Sequence, residues 1–120
     1  MKLLLIDDNP SITTMYSKYL TVKGHYQCTV INDGKEGLDR IKKDNFDVVL
    51  LDLALPKFSG LDLINSLVDD GTIKDHKIIV LSASHMTDTE TTKLLEKGVL
   101  ACFEKPVQLK TLLETIENIS

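Results

Sequence analysis

Cysteine and long apolar runs are scarce in this chain of 120 residues. Its two cysteines, Cys28 and Cys102, are too few for a metal cluster and are not spaced as a CxxC pair, so we expect both thiols to be reduced and buried. The apolar runs Val48–Leu51 and Ile78–Leu81 are four residues long, whereas a helix that spans a bilayer needs about 20 apolar residues. The N-terminus lacks the longer apolar segment and the cleavage site of a secretory signal. These absences argue against a membrane span, and the default expectation is a cytoplasmic protein.

An excess of basic residues is also missing. The chain has 18 acidic and 14 basic residues and a formal net charge of −4. This balance disfavours binding to a phosphate backbone, so nucleic acid is not expected as a direct partner. The apolar share of 42% and the charged share of 27% are typical of a globular protein that buries a core. The length corresponds to one domain, and we expect residues 1–120 to form it without a second folded unit.

Apolar segments with strand character alternate with segments of helical period along the chain. This alternation is typical of an α/β fold, in which helices cover both faces of a doubly wound parallel sheet. Four of the five strand candidates are near-continuous apolar runs, as expected for buried parallel strands, whereas the second alternates and is predicted to lie at an edge. The candidates are Lys2–Ile6, Tyr26–Ile31, Asp47–Leu51, Lys77–Leu81 and Leu100–Phe103.

The helices are predicted from apolar residues at helical spacing and from the residues at their ends. Asp8 or Asn9 can cap the first helix, and Pro10 suits its first turn. Gly24 is expected to end this helix. The predicted core-facing residues are Ile12, Met15, Tyr16, Tyr19 and Leu20 in the first helix, Leu38 and Ile41 in the second, Leu61, Ile64, Leu67 and Val68 in the third, and Leu109, Leu112, Leu113 and Ile116 in the fifth.

The fourth helix has few apolar residues. Thr87 and Glu90 match a capping box, so the helix is predicted to start there and to run to Lys97. Leu94 and Leu95 are almost its only large apolar residues. We therefore expect this helix to be weakly attached to the core.

Polar residues follow the first, third, fourth and fifth predicted strands. In an open parallel sheet, ligands bind beyond the carboxyl ends of the strands, so residues at these positions are expected to meet at one edge. Strand one leads into an acidic pair, strand three into an aspartate, strand four into a serine and an alanine, and strand five into a lysine and a proline. These residues are Asp7 and Asp8, Asp52, Ser82 and Ala83, and Lys105 and Pro106.

The three carboxylates at this edge predict a metal site. They repel one another, and burial raises the free energy of keeping them ionised at close range unless a cation is bound. Oxygen ligands without a nearby His or Cys favour a hard ion such as Mg²⁺, which can offset the charge of an incoming phosphoryl group. Asp52 is the candidate nucleophile. Alone, Asp8 can be a helix cap and Asp52 a turn residue, and only the joint pattern favours a functional site.

The same residues match a known family over essentially the whole chain. The order and spacing of four features resemble those of the receiver domains of two-component response regulators, the CheY-like superfamily. These features are the acidic pair, the segment Asp52–Pro56 with Gly60, the Ser-Ala pair and the Lys-Pro pair. The segment Asp33–Leu38 is similar to the start of the second helix in that family. The chain thus resembles a receiver domain of the stand-alone type, which implies a flavodoxin-like sheet of order 2-1-3-4-5 with five helices.

The resemblance implies a phosphoacceptor and a set of metal ligands. Asp52 is expected to take a phosphoryl group from a histidine kinase or a histidine phosphotransfer protein, so the chain is a signalling switch and not an enzyme. Asp8, Asp52 and the backbone carbonyl of Ala54 are expected to bind Mg²⁺ directly, with Asp7 acting through a coordinated water.

The resemblance also implies how a phosphoryl group is bound and sensed. The Ser82 hydroxyl and the Ala83 amide are expected to bond its oxygens, and Lys105 to pair with them. The peptide between Lys105 and Pro106 is an expected cis peptide. The downstream protein target is expected to bind the surface of the fourth helix, fifth strand and fifth helix.

The sequence departs from the family in two places. Leu55 stands where the family usually has Met. Cys102 occupies the position of the switch aromatic, three residues before the lysine, and Phe103 is predicted to lie on the opposite face of the strand. Switching is therefore expected to run through Ser82, Ala83 and the Ser84–Asp88 loop into the fourth helix rather than through an aromatic ring.

Three other classes of protein share part of this pattern. A flavodoxin-like cofactor-binding protein needs a loop rich in glycine and hydroxyl groups after strand one, where this chain has Asp7–Pro10. A phosphotransferase or phosphatase that uses an aspartyl phosphate generally needs an acid or base two residues from the nucleophile, where this chain has Ala54. A degenerate receiver that only binds proteins would not need the intact acidic residues, Ser82 and Lys105.

Overall fold

The computed structural model describes residues 1–119, which form five strands and five α-helices. A short 3-10 turn, Ile73–Asp75, precedes the fourth strand. The elements are β1 (Lys2–Ile6), α1 (Pro10–Gly24), β2 (Gln27–Ile31), α2 (Gly34–Lys43), β3 (Val48–Asp52), α3 (Gly60–Asp69), β4 (Ile78–Ser82), α4 (Asp88–Lys97), β5 (Ala101–Glu104) and α5 (Leu109–Ile119).

All strands are parallel and lie in the order β2-β1-β3-β4-β5, which confirms the predicted fold class and the edge position of β2. Because each crossover passes through a helix, both faces of the sheet are covered, and the central strands β3 and β4 are buried along their whole length. Among the described residues, no helix is long and apolar enough to cross a membrane.

The third, fourth and fifth strands each start and end one residue later than the sequence predicted. Hydrogen bonds between strands continue past the last apolar residue of each predicted strand. The Leu53 amide donates to the Leu81 carbonyl at 3.1 Å, and the Lys105 amide donates to the Ser82 carbonyl at 2.6 Å. Asp52 and Ser82 are therefore the last residues of their strands, and their backbones are fixed by the sheet.

The connection from α1 to β2 agrees with the prediction at the end of the helix and differs from it at the start of the strand. Gly24 is the last helical residue, and His25 takes the left-handed conformation with φ 59°. A Cβ on Gly24 would lie 2.7 Å from the ring of Tyr26, so close packing requires glycine there. The Tyr26 amide still bonds the Leu20 carbonyl at 3.2 Å, and β2 begins at Gln27 instead of Tyr26.

The predicted helix starts are confirmed in α1 and confirmed in part in α4. Asn9 is the N-cap of α1, since its side chain accepts from the Ser11 amide at 3.0 Å, and Pro10 follows as the first helical residue. Thr87 caps α4 by accepting from the Glu90 amide at 3.1 Å. The capping box is incomplete, because the Glu90 carboxylate accepts from the Thr87 hydroxyl instead of its backbone amide.

Two of the predicted core-facing stripes are wrong at individual positions. In α1, Met15 was expected in the core but is 51% exposed, and Thr13 is buried instead. Successive helical residues are about 100° apart, so Met15 points away from the face that buries its neighbour Tyr16. In α3, the buried residues are Gly60, Leu63, Ile64 and Leu67, whereas Leu61 and Val68 are exposed. The buried stripe of α3 follows the spacing i, i+3, i+4 and i+7, which places Leu63 instead of Leu61 against the sheet.

The sheet separates two apolar cores. The first contains side chains of α1 and α5, including Tyr16, Leu20, Leu112 and Ile116. The second contains side chains of α2, α3 and α4. Within Asp88–Lys97, Leu94 is the one buried residue and Leu95 is 45% exposed, so α4 has little apolar contact with the second core, as predicted.

The two cysteines lie on opposite edge strands, Cys28 on β2 and Cys102 on β5. Both thiols are free, as predicted, but each residue is only half-buried, so the prediction of burial is wrong. An edge strand has a neighbour on one side only, which leaves its side chains partly open.

Candidate functional site

Three carboxylates meet at the carboxyl ends of β1 and β3, as predicted. These strands are neighbours, with Ile6 paired to Leu51, so Asp7 and Asp52 lie side by side. One oxygen from each of Asp7, Asp8 and Asp52 lies within 4.8 Å of the others. Asp7 and Asp52 are buried, whereas Asp8 is exposed.

Backbone amides and one lysine fix the two buried carboxylates. Oδ1 of Asp7 accepts from the Asn9 amide at 2.9 Å, and Oδ1 of Asp52 accepts from the Ala54 amide at 3.1 Å. Nζ of Lys105 lies 2.5 Å from Oδ2 of Asp7 and 3.4 Å from Oδ2 of Asp52. The lysine side chain is only 9% exposed, so its charge acts on both carboxylates with little screening by solvent.

The electrostatics of this group keep Lys105 charged and make Asp52 costly to ionise. Burial raises the pKa of Asp52, and the nearby charge of Asp7 adds to this, while the Ala54 amide and Lys105 act in the opposite direction. Burial alone would lower the pKa of Lys105, but its hydrogen bond to Asp7 and the charge of Asp52 outweigh burial and raise that pKa. The site thus has a surplus of negative charge that one ammonium group does not balance.

This donor set fits Mg²⁺. All its candidate ligands are oxygens, which hard divalent ions prefer. Among residues 1–119, no protein group bonds the exposed Asp8 carboxylate, while both oxygens of Asp7 already accept hydrogen bonds. Asp8 is therefore the carboxylate most open to a metal ion.

The loop from β3 to α3 is shaped by close backbone packing. A Cβ on Gly60 would overlap the backbone carbonyl of Asp52, and the Gly60 amide donates to the Leu53 carbonyl at 3.0 Å. Lys57 takes a positive φ of 65° at the turn. Leu55, the residue in place of the family's usual Met, is buried in the second core. The contacts of Gly60 thus hold the backbone of Asp52 and Leu53 in place.

Gly34 has a similar role on the neighbouring helix. A Cβ at this position would overlap the backbone carbonyl of Phe58, so glycine lets the start of α2 pack directly against the β3–α3 loop. Asp33 caps the helix by accepting from the Glu36 amide at 2.9 Å. The sequence indicated this segment only through its likeness to a family, since close approach of two backbones leaves no periodic signal.

The remaining predicted site residues lie at the same edge. Ser82 ends β4, one position beyond Leu81, which is the register partner of Asp52. Its hydroxyl donates to the Ser84 carbonyl at 3.1 Å and accepts from the Ser84 amide at 3.2 Å. Ala83 is exposed in the loop that follows. The peptide between Lys105 and Pro106 is cis, as predicted.

Cys102 and Phe103 point to opposite faces of β5, as predicted. Cys102 packs against the second core, which contains Leu94 of α4, whereas Phe103 packs against the first core with α1 and α5. The ring of Phe103 is therefore on the wrong side of the sheet to act between Ser82 and α4.

One contact near the site was not predicted, although it involves the Ser84–Asp88 loop through which switching is expected to run. Oε1 of Glu104 lies 2.9 Å from Nδ1 of His85 and accepts from the Met86 amide at 3.1 Å. A pairing between a strand end and a loop 18 residues away depends on the path of the loop. No spacing in the sequence signals it.

The sheet order and the cluster of acidic residues with a buried lysine define a receiver domain. The sequence profile of the response regulator receiver domain matches residues 3–117, and the chain belongs to this family. The likeness stated from the sequence is thereby confirmed.

Individual relatives agree with this assignment. The chain is 31% identical over 121 residues to the uncharacterized transcriptional regulatory protein YclJ of Bacillus subtilis, and the match covers 99% of this chain and 50% of YclJ. The chain thus spans half the length of that relative. It is 26% identical over 115 residues to the polar-differentiation response regulator DivK of Brucella anthropi, covering 96% of this chain and 92% of DivK. The receiver domain of the Francisella response regulator 1452 superposes with a TM-score of 0.88 at 27% identity, covering 98% of this chain and 94% of that one.

Proposed function

We propose that Asp52 is the phosphoacceptor of this receiver domain. A carboxylate oxygen of Asp52 attacks the phosphorus of a phosphohistidine, the P–N bond breaks, and its electron pair returns to the imidazole nitrogen, which takes up a proton. The product is an acyl phosphate on Asp52. The observation that carries the proposal is the position of this buried carboxylate, with Oδ2 3.4 Å from the Lys105 ammonium and an oxygen within 4.8 Å of Asp7 and Asp8.

Asp8, Asp52 and the carbonyl of Ala54 are the proposed direct ligands of Mg²⁺, with Asp7 acting through a coordinated water. When bound, Mg²⁺ offsets the charge of the phosphoryl oxygens. The open Asp8 carboxylate supports its role as a direct ligand, and the hydrogen bond that each Asp7 oxygen already accepts supports an indirect role for Asp7.

The other polar residues bind the product. Lys105 is proposed to pair with one phosphoryl oxygen, and the Ser82 hydroxyl and the Ala83 amide to donate to others. The burial of Lys105 beside Asp52 supports its part, because a charge-assisted bond is strongest away from solvent.

The proposed partners follow from membership of the family. The phosphodonor is a histidine kinase or a histidine phosphotransfer protein, and the domain acts as a signalling switch and not as an enzyme. The downstream target is a protein that binds α4, β5 and α5, and neither direct binding of nucleic acid nor a membrane location is part of the proposal. The sparse apolar contact of α4 supports this surface, because a weakly packed element is easily shifted. A cytoplasmic location stays a prediction.

Acetyl phosphate, a small phosphodonor, tests the proposed function. Incubation with acetyl phosphate and Mg²⁺ is expected to add one phosphoryl group to the protein, measured by intact-protein mass spectrometry. Excess EDTA is expected to prevent the addition, because the acidic cluster then lacks its counter-charge. A protein that gains no phosphoryl group with Mg²⁺ present would contradict the proposal.

We further expect Mg²⁺ to stabilise the fold through Asp8. At about ten times its Kd, a ligand that binds only the folded state raises the free energy of unfolding by about 1.4 kcal/mol. Thermal melting in EDTA and in millimolar Mg²⁺ measures this gain, which Asp8→Ala is expected to lose. Asp39→Ala, which removes an exposed aspartate on α2, is the matched control and is expected to keep it. An Asp8→Ala variant with the full Mg²⁺ response would show that this ligand assignment is wrong.

A further inference from the structure

The loop after β4 is attached to the end of β5 by one carboxylate. Oε1 of Glu104 contacts Nδ1 of His85 at 2.9 Å and accepts from the Met86 amide at 3.1 Å. Glu104 is also the register partner of Ser82, so the attachment lies directly beside the serine that ends β4. We name these contacts of Glu104 with His85 and Met86 the Glu104 clamp.

The clamp acts on the part of the loop that holds the Ser82 hydroxyl. That hydroxyl donates to the Ser84 carbonyl and accepts from the Ser84 amide, at 3.1 Å and 3.2 Å. Ser84 is the residue immediately before the clamped pair. A hydroxyl has one proton to donate, so Ser82 must give up the Ser84 carbonyl before it can donate to a phosphoryl oxygen. The position of the loop and the availability of Ser82 are thus coupled.

We propose that Glu104 is a positioning residue that holds the loop in the arrangement in which Ser82 bonds Ser84, and thereby lowers the affinity of the site for a phosphoryl group. The inference rests on the proposed function of Asp52. Removing a contact that stabilises one of two arrangements shifts the population toward the other. With Phe103 on the opposite face of β5, the clamp supplies a link between this strand and the loop on the side of α4.

The expected effect is modest, because both side chains of the clamp are open to solvent. The His85 side chain is 80% exposed and the Glu104 side chain 50% exposed. Exposed pairs of this kind change an equilibrium by about two- to fivefold. The exposure of Glu104 also means that its replacement leaves both apolar cores intact.

Binding of beryllofluoride in the presence of Mg²⁺ tests the proposal. Beryllofluoride mimics a phosphoryl group on an aspartate, and its Kd can be measured by fluorine NMR. Glu104→Ala is expected to bind it about two- to fivefold more tightly than the wild type. Glu104→Gln keeps an acceptor oxygen for the Met86 amide and is expected to return most of the way to the wild-type Kd. His85→Ala is expected to tighten binding by less than Glu104→Ala, since it removes one contact of the clamp.

A matched control separates the clamp from a general effect of charge. Glu114→Ala removes the same charge from an exposed position on α5 and is expected to leave the Kd unchanged. Hydrogen exchange supplies a second measurement, in which the Met86 amide is expected to exchange faster in Glu104→Ala than in Glu114→Ala, because it has lost its acceptor.

Several outcomes would overturn the proposal. An unchanged or weaker affinity in Glu104→Ala means that the clamp does not oppose binding. Equal affinities in Glu104→Gln and Glu104→Ala mean that the negative charge alone sets the Kd. A wild-type protein that binds no beryllofluoride at all overturns the proposed function of Asp52 and the role of Glu104 together, whereas the first two results leave Asp52 as the phosphoacceptor.

Discussion

Replacement of Asp52 by asparagine is expected to abolish phosphorylation by acetyl phosphate. The amide has nearly the shape of the carboxylate, but it lacks the negatively charged oxygen that attacks phosphorus. The backbone at this position is fixed by β3 and by the contact with Gly60, so the asparagine is expected to occupy the place of the aspartate. Intact-protein mass spectrometry after incubation with acetyl phosphate and Mg²⁺ measures the loss, which should be complete.

The control for this variant must show that the fold survives. Asp39→Asn changes an exposed aspartate on α2 and is expected to be phosphorylated like the wild type. Without Mg²⁺, Asp52→Asn is expected to unfold at a higher denaturant concentration than the wild type, because burial raises the pKa of Asp52 and so penalises its ionised form. The extra stability of Asp52→Asn over the wild type is present above the raised pKa of Asp52. It is lost as the pH falls through that pKa, because the wild-type carboxyl then becomes protonated. Phosphorylation of a folded Asp52→Asn protein would show that the acceptor is a different residue.

The positions of Asp7, Asp52 and Lys105 could be predicted because they depend on topology. Each of these residues ends or follows an apolar strand, and the carboxyl ends of parallel strands meet at one edge. Even where the predicted strands were displaced by one residue, the polar residues stayed at the same edge of the sheet. The faces of Cys102 and Phe103 could be predicted for the same kind of reason, because side chains alternate along a strand.

Features that depend on the exact path of the chain could not be predicted. Apolar residues at helical spacing predict that Met15 and Leu61 lie in the core, but the rotation of each helix on the sheet buries their neighbours instead. The close approach of Gly34 to the Phe58 carbonyl and the contact of Glu104 with the β4–α4 loop join segments far apart in sequence. Such contacts are fixed by packing, and a single sequence carries no periodic trace of them.

Replacement of Lys105 by alanine is expected to have the largest effect on stability. The ammonium group lies 2.5 Å from Asp7 and 3.4 Å from Asp52, and the two aspartate side chains are at most 6% exposed. Removing one partner of a buried ion pair leaves an uncompensated charge, which costs about 3–5 kcal/mol. We therefore expect the free energy of unfolding in EDTA to fall by about 3 kcal/mol, measured by denaturant titration.

Mg²⁺ and a second variant separate charge from packing in this result. Mg²⁺ is expected to restore more stability to Lys105→Ala than it adds to the wild type, because the cation then supplies the only positive charge beside the carboxylates. Lys105→Met keeps most of the side-chain volume and is expected to lose nearly as much stability in EDTA as Lys105→Ala. Equal free energies of unfolding for Lys105→Met and the wild type in EDTA would mean that the lysine stabilises the fold by packing and not by its charge.

The same variant tests how the site reports its own phosphorylation. Lys105→Ala is expected to keep measurable phosphorylation by acetyl phosphate, because the nucleophile and the proposed metal ligands remain. It is expected to lose the conformational response to phosphorylation, since no ammonium group then draws the end of β5 toward the phosphoryl oxygens. Hydrogen exchange with and without beryllofluoride measures this: protection of Ser84–Lys97 should change in the wild type and stay constant in the variant. A full change in that segment of Lys105→Ala would place the sensing entirely in Ser82 and Ala83, and the buried lysine would then serve only to balance the charge of Asp7 and Asp52.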